Sequence, residues 1–139
     1  MTRLDPWKAA PEAMKQMVDY AMANAEGVDR TIAHLVKIRA SQINGCALCL
    51  HMHIGEGRKD GERDERMYLL DAWRDAPIYT ARERAALAWT EALTLLDPKT
   101  DYASLRGRLR ESFSDEEIGA LTATIGMINL WNRIQVSAH

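Results

Sequence analysis

The sequence predicts an all-α protein of one domain. Three observations carry that expectation. Apolar residues recur at three- and four-residue spacing along most of the chain. Helix-start chemistry (Pro, Asp, Thr or Ser ahead of an apolar period) returns repeatedly between Pro11 and Ser114. No segment alternates like a strand for any length, and no repeat of about 20–50 residues, low-complexity tract or linker-like composition shift divides residues 1–139.

The elements follow in order. Pro11 suits the first turn of a helix, and Met14, Met17, Val18, Ala21 and Met22 continue it at helical spacing until Gly27. Asp29 can cap the next helix, which carries Ile32, Leu35, Val36 and Arg39 to about Ser41. Asn44-Gly45 is a break. A third helix is expected from near Cys46 to about Lys59, with Gly55 and Gly57 as weak points near its end. A short helix from about Glu62 to Trp73 precedes a turn at Ala76-Pro77. Thr80-Ala81-Arg82-Glu83 fits a capping box and opens a helix to about Leu96, with Ala85, Ala88, Trp89, Ala92 and Leu96 on one face and Pro98 just beyond. Another short helix covers about Tyr102–Glu111. Ser114-Asp115-Glu116-Glu117 reads as a second capping box, ahead of a last long helix striped by Ile118, Leu121, Ile125 and Ile128. The sum is about six or seven helices.

Composition narrows the function classes. Apolar residues are 47% and charged residues 27% of the 139, a globular balance. A chain of this size can bury roughly two-thirds of its unfolded surface without metals or disulfide staples. Eighteen Lys+Arg against twenty Asp+Glu give a net charge of −2, without the positive excess of a nucleic-acid binder. No apolar run approaches the roughly 18 residues of a membrane span. Met1-Thr2-Arg3-Leu4-Asp5-Pro6-Trp7 lacks the apolar stretch of a secretory leader. The expectation is a cytoplasmic protein that binds neither nucleic acid nor membrane.

The candidate chemistry lies in Cys46 and Cys49. Their spacing closes too small a loop to stabilise a fold, and in a reducing compartment a close pair binds metal or does redox work. On a helix that starts near Cys46, Cys46, Cys49 and His53 share one face. That layout suits thiol redox chemistry. The thiolate is the nucleophile, a helix N-terminus favours its charge, and an imidazole one turn away can move the proton. Attack on a hydroperoxide leaves a sulfenic acid, which the second cysteine converts to a disulfide for an external dithiol to reduce. Competing readings are weaker. Zinc would draw on Cys46, Cys49, His51 and His53, but His51 faces away from the stripe. Covalent haem needs His directly after the second cysteine, where Leu50 stands. Thioredoxin-type proteins set CxxC in a β–α context that this chain lacks. A buried inert pair is the plain structural alternative. No metal or other cofactor is expected. His51 reads as a surface or interface residue and His139 as a frayed terminus.

Leu35-Val36-Lys37-Ile38-Arg39-Ala40-Ser41-Gln42-Ile43-Asn44-Gly45-Cys46-Ala47-Leu48-Cys49, followed by Met52-His53, resembles the core of the alkylhydroperoxidase D and carboxymuconolactone decarboxylase family. Arg82-Glu83-Arg84-Ala85-Ala86-Leu87-Ala88-Trp89-Thr90-Glu91-Ala92-Leu93-Thr94 is similar to that family's next helix, and Asn129-Leu130-Trp131-Asn132-Arg133 to its C-terminal signature. The resemblance runs from about Val28 to Val136. It implies the all-helical AhpD-like fold, assembled into homo-oligomers, commonly trimers or hexamers. It implies reduction of organic hydroperoxides without metal or haem, with electrons from a dithiol protein. It also implies Cys49 as the peroxidatic cysteine, Cys46 as the resolving one, and His53 as part of a proton relay. Helix-dipole logic alone favours Cys46 as the more readily ionised thiol.

The chain departs from the family pattern at two positions. The family's Glu just ahead of the Leu-Val pair is His34 here. An imidazole accepts a proton, with an ordinary pKa of about 6.5 against about 4.3 for Glu, but brings no fixed negative charge at neutral pH. The residue between the cysteines, His or Tyr in the family, is Leu48. Three outcomes are open: a weakened peroxidase, a peroxidase that uses His34 as its base, or a dithiol that exchanges disulfides or senses redox state. A lactone decarboxylase-like enzyme is a further alternative. The candidate catalytic set is Cys49, Cys46, His53 and His34. Glu91 is expected in a structural ion pair with Arg133 or Arg39. Trp131, Asn129 and Asn132 are expected in core or subunit contacts, and the methionines of the first helix in packing.

Overall fold

The computed structural model describes residues 2–139. Among them the chain forms α1 (Pro6–Ala9), α2 (Pro11–Asn24), a 3-10 turn (Ala25–Gly27), α3 (Arg30–Asn44), α4 (Ala47–Lys59), α5 (Asp64–Tyr68), a second 3-10 turn (Leu69–Ala72), α6 (Ala81–Leu95), α7 (Tyr102–Arg110) and α8 (Asp115–Ser137). The described residues contain no strand, and the all-α expectation holds. No described helix is long and apolar enough to cross a membrane.

Helix α3 is the spine and packs on α4, α6 and α8. Helical periodicity sends its neighbouring apolar pairs to different sides. Ile32 and Val36 meet Ala85, Ala86 and Trp89 of α6, together with Leu109, Phe113, Leu121 and Ile125. Leu35 and Ile38 enter a second cluster with Leu87 and Ala88 of α6 and with Met67, Leu70, Trp73 and Tyr79. Each fully buried side chain of this size contributes about 1.5–3 kcal/mol of transfer free energy. Two apolar clusters thus hold α3 on two adjacent faces, and the site lies at its remaining faces and ends.

Local chemistry explains where expectation and structure part. The Thr80 box forms in full: the Glu83 amide donates to Thr80 Oγ1 at 3.1 Å and the Thr80 amide to Glu83 Oε2 at 2.9 Å. The Ser114 box forms by half. Ser114 Oγ accepts the Glu117 amide at 3.1 Å, but the Glu117 carboxylate turns to Arg82 at 2.9 Å. A charged donor outcompetes a neutral amide. Leu96 leaves the α6 face, because it ends the helix in the left-handed conformation (φ 51°) and is 62% exposed. In the last stripe Leu121, Ile125 and Ile128 are buried and Ile118 is half-buried. The single helix expected over 62–73 is instead α5 followed by the second 3-10 turn. One further element, α1, was not foreseen. It has Pro6 at its start, Asp5 accepts the Trp7 and Lys8 amides, and Trp7 stacks on Trp131 with ring centroids 6.1 Å apart. In α2, Met14 is buried, Met17 half-buried and Met22 exposed.

Candidate functional site

The site begins where α3 stops. Gly45 takes φ +66°, a left-handed value that glycine adopts without a Cβ clash, and this turns the chain from α3 into α4. The end of α3 is clamped to α8 by amides. Asn44 Nδ2 donates to Asn129 Oδ1 and Asn132 Oδ1, both at 2.9 Å, and fully buried Asn132 donates to Ser41 Oγ at 3.0 Å. Asn132 is therefore a core residue, and the C-terminal signature braces the turn ahead of the cysteines.

Cys46 is the N-cap of α4. Its backbone is extended and its Sγ accepts the Cys49 amide at 3.3 Å. Cys46 and Cys49 form a disulfide with Cα atoms 5.3 Å apart, and the residues are only 2% and 4% exposed. His53 stands one turn beyond Cys49 on α4. Its Nδ1 lies 3.0 Å from Glu56 Oε2, so Nδ1 carries the hydrogen against a carboxylate and Nε2 is the acceptor of the neutral ring. Burial pulls the His53 pKa below 6.5, and the Glu56 bond only partly offsets it. His34, on α3, is buried, and its Nε2 lies 2.6 Å from Asp60 Oδ2 at the C-cap of α4. Arg30 reaches the same oxygen at 2.7 Å.

His34 and His53 line one cleft of about 840 Å³, together with Lys37, Glu56, Asp60 and an apolar wall that includes Ile128 and Trp131. The cleft lining includes neither cysteine. The four candidate residues thus fall into two adjoining groups: the disulfide at the start of α4, and the two histidines in the cleft, joined by the helical turn from Cys49 to His53. Gly57 lets α4 approach this region. A Cβ there would stand 2.8 Å from Met67 Sδ and 3.9 Å from His34 Cβ. His51 is exposed and lies off the cleft, and His139 is exposed at the chain end. No group of three or more potential metal-ligating His, Cys, Asp or Glu residues occurs among the described residues.

Glu91 forms a separate cluster. It is 9% exposed and receives Trp73 Nε1 at 2.7 Å, Arg74 at 2.6 Å and Arg39 Nε at 3.0 Å. Of the two expected partners, Arg39 is correct and Arg133 is not. Arg133 bonds to Asn129, one helical turn back on α8. Sequence reasoning missed Asp60 altogether. It stands 26 residues from His34 and just before Gly61, where the local pattern says only that a helix ends.

An all-helical fold with a CxxC pair at the start of α4 defines the AhpD-like class. The model of the carboxymuconolactone decarboxylase family matches residues 10–92, and the chain belongs to that family. The uncharacterized protein YdfG of Bacillus subtilis is 40% identical over 136 residues, 97% of this chain and 92% of that protein. The uncharacterized protein YnjA of Escherichia coli is 34% identical over 106 residues, 74% of this chain and 56% of that one. A crystal structure from Agrobacterium tumefaciens superposes with a TM-score of 0.92 at 42% identity, covering 99% of this chain and 95% of that one. That protein is of unknown function and is provisionally described as the antioxidant defence protein AhpD.

Proposed function

We propose that this chain is a thiol-dependent hydroperoxidase of antioxidant defence, reducing organic hydroperoxides at Cys46 and Cys49. The observation that carries this reading is the disulfide-bonded pair at the N-terminus of α4, with His53 one turn further on. In the reduced protein the Cys49 thiolate attacks the distal peroxide oxygen. The O–O bond breaks, Cys49 becomes a sulfenic acid, and the alkoxide takes a proton to leave as an alcohol. The Cys46 thiol then displaces water from the sulfenic acid and regenerates the disulfide. A dithiol donor protein returns two electrons and two protons by thiol–disulfide exchange. His53 moves protons in these steps, with Nε2 as its acceptor atom. His34 is the second base. The reading implies a cytoplasmic setting, where dithiol donors are at hand. Exposed Leu48 and Met52 of α4 and Leu130 and Val136 of α8 support a homo-oligomer, a trimer or hexamer.

The test is consumption of cumene hydroperoxide with dithiothreitol as reductant. Wild type is expected to turn over, and Cys49→Ser to fall to the buffer blank. Cys46→Ser is expected to turn over more slowly than wild type, because dithiothreitol must then resolve the Cys49 sulfenic acid in place of Cys46. A wild type no faster than the blank, with both thiols open to a thiol reagent, replaces peroxidase chemistry with disulfide exchange or redox sensing.

One observation favours a second reading. The cleft presents two histidines and Lys37 but neither sulfur, which suits acid–base chemistry on a small lactone acid. Loss of such a substrate in the presence of a Cys46→Ser, Cys49→Ser double variant would select that reading, since it needs no thiol.

A further inference from the structure

His34 Nδ1 is buried and has no hydrogen-bond partner, the one such side-chain atom among the described residues. Buried polar atoms are normally paired, so an orphan needs an explanation. The other ring nitrogen supplies it. Nε2 is 2.6 Å from Asp60 Oδ2, and Arg30 grips that same oxygen at 2.7 Å. The hydrogen bond from His34, aided by the Arg30 charge, holds the Asp60 carboxyl below its usual range. An ionised carboxylate can only accept, so Nε2 carries the hydrogen and the lone pair of the neutral ring sits on Nδ1.

We propose that Asp60, braced by Arg30, is a positioning residue that makes His34 a proton acceptor in place of the glutamate expected there. This inference rests on the thiol-peroxidase reading. A glutamate is −1 without its proton and neutral with it. His34 and Asp60 together have the same two states: a neutral ring beside a carboxylate, then an imidazolium beside a carboxylate. The Cys49 S–H bond breaks and its proton comes to rest on His34 Nδ1, leaving a thiolate and an Asp60-paired imidazolium. No electrons are exchanged in this step. The same proton is later available to the departing alkoxide.

The other charged neighbours do not substitute for Asp60. Arg30 and Lys37 of α3 and Lys59 of α4 oppose an imidazolium. Glu56 is engaged by His53, and Glu62, beyond Asp60, is engaged by Arg66, with Arg63 alongside. Tyr20, Glu26 and Asp29 face the cleft from α2 and the turn after it, but none of them is bonded to the His34 ring.

The test uses reduced protein carrying Cys46→Ser, so that alkylation by iodoacetamide reports Cys49 alone across a pH series. Asp60→Asn is expected to slow alkylation about tenfold at neutral pH and to raise its midpoint by about one unit, the effect of losing an adjacent opposite charge. Asp60→Glu is expected to restore most of the rate. In a His34→Glu background, where the carboxylate needs no partner, Asp60→Asn is expected to change the rate by less than about twofold, because the coupled pair is gone. An unchanged profile in Asp60→Asn overturns the proposal, as does an equal loss in the His34→Glu background. Should Asp60→Asn not fold, nitrogen NMR of wild-type histidines decides instead: an Nε2–H tautomer at His34 supports the proposal and an Nδ1–H tautomer overturns it. Absence of cumene hydroperoxide turnover in wild type would remove the peroxidase reading alone, because the alkylation profile reads the Asp60 effect without any peroxide.

Discussion

Glu91 and Asp60 are both carboxylates that hold a residue of α3, yet they are built to opposite specifications. Glu91 is buried and saturated: Trp73, Arg74 and Arg39 all donate to it, and Arg39 also reaches Asp71 at 2.8 Å. It does not line the cleft. Asp60 is exposed at a helix end, holds His34 and Arg30 through one oxygen, and stands at the cleft with an unpaired ring nitrogen behind it. A polar cluster with every atom paired rigidifies a fold. A cluster that leaves one buried base unpaired has capacity for a proton. The difference teaches that the more heavily bonded carboxylate is scaffold and the sparsely bonded one is where chemistry is to be sought.

The largest effect expected from breaking this contrast is on stability at Glu91. Glu91→Ala leaves Arg39 Nε and Trp73 Nε1 buried without their acceptor, while Arg39 keeps Asp71 and Gln42 through Nη1. Removing one member of such a buried pair costs about 3–5 kcal/mol, a fall in melting temperature of roughly 10–20 °C for a domain of this size. Thermal unfolding followed by circular dichroism reads it. Cys49 alkylation in the folded variant is expected to match wild type. If Glu91→Ala shifts the alkylation midpoint as far as Asp60→Asn, the two clusters are not functionally distinct. Asp60→Asn, by contrast, is expected to melt close to wild type, since it alters a solvent-facing carboxylate.

The next effect is on the acid limb of stability. Burial raises the Glu91 carboxyl, but the bonds from Trp73, Arg74 and Arg39 outweigh it, and the net position is below 4.5. A depressed carboxyl contributes stability that is complete above its unfolded pKa and is lost as pH falls through the folded value. Denaturant unfolding is therefore expected to weaken steadily below about pH 4.5 in wild type, and less steeply in Glu91→Gln, which starts lower but has no proton to bind there. Parallel acid limbs would show that Glu91 is not held by these bonds.

The contrast also explains what could be read from sequence. The helices were legible because their signals are local: Asp29, Thr80 and Ser114 cap within three residues, and the apolar period of α3 marks both of its buried faces. Gly45 and the CxxC pair were legible for the same reason, and Cys46 does begin α4. Leu96 misled, because a period cannot show that its last member has already turned out of the helix. The Ser114 box misled because Arg82, remote in sequence, competes for Glu117. Asp60 was invisible because its partner lies on another helix and no spacing rule joins the two. Arg39 could be foreseen for Glu91 only as one of two candidates, since which cation fits depends on the α3–α6 packing.

The smallest effect concerns His53, which lies between the two regimes: half-buried at the cleft, with Glu56 as its one hydrogen-bond partner. Burial lowers its pKa below 6.5 despite the Glu56 bond. Protonation therefore favours the unfolded chain. The stability contribution of the neutral ring is complete above about pH 6.5 and is lost as pH falls from there through the lowered folded value. One such proton gives a slope of at most about 1.4 kcal/mol per pH unit. His53→Gln is expected to flatten that part of the stability profile while leaving the acid limb set by Glu91 in place. A slope that persists in His53→Gln assigns the proton to another group. A slope that vanishes fixes His53 as a ring kept neutral at physiological pH, the state in which its Nε2 can take the proton of a thiol.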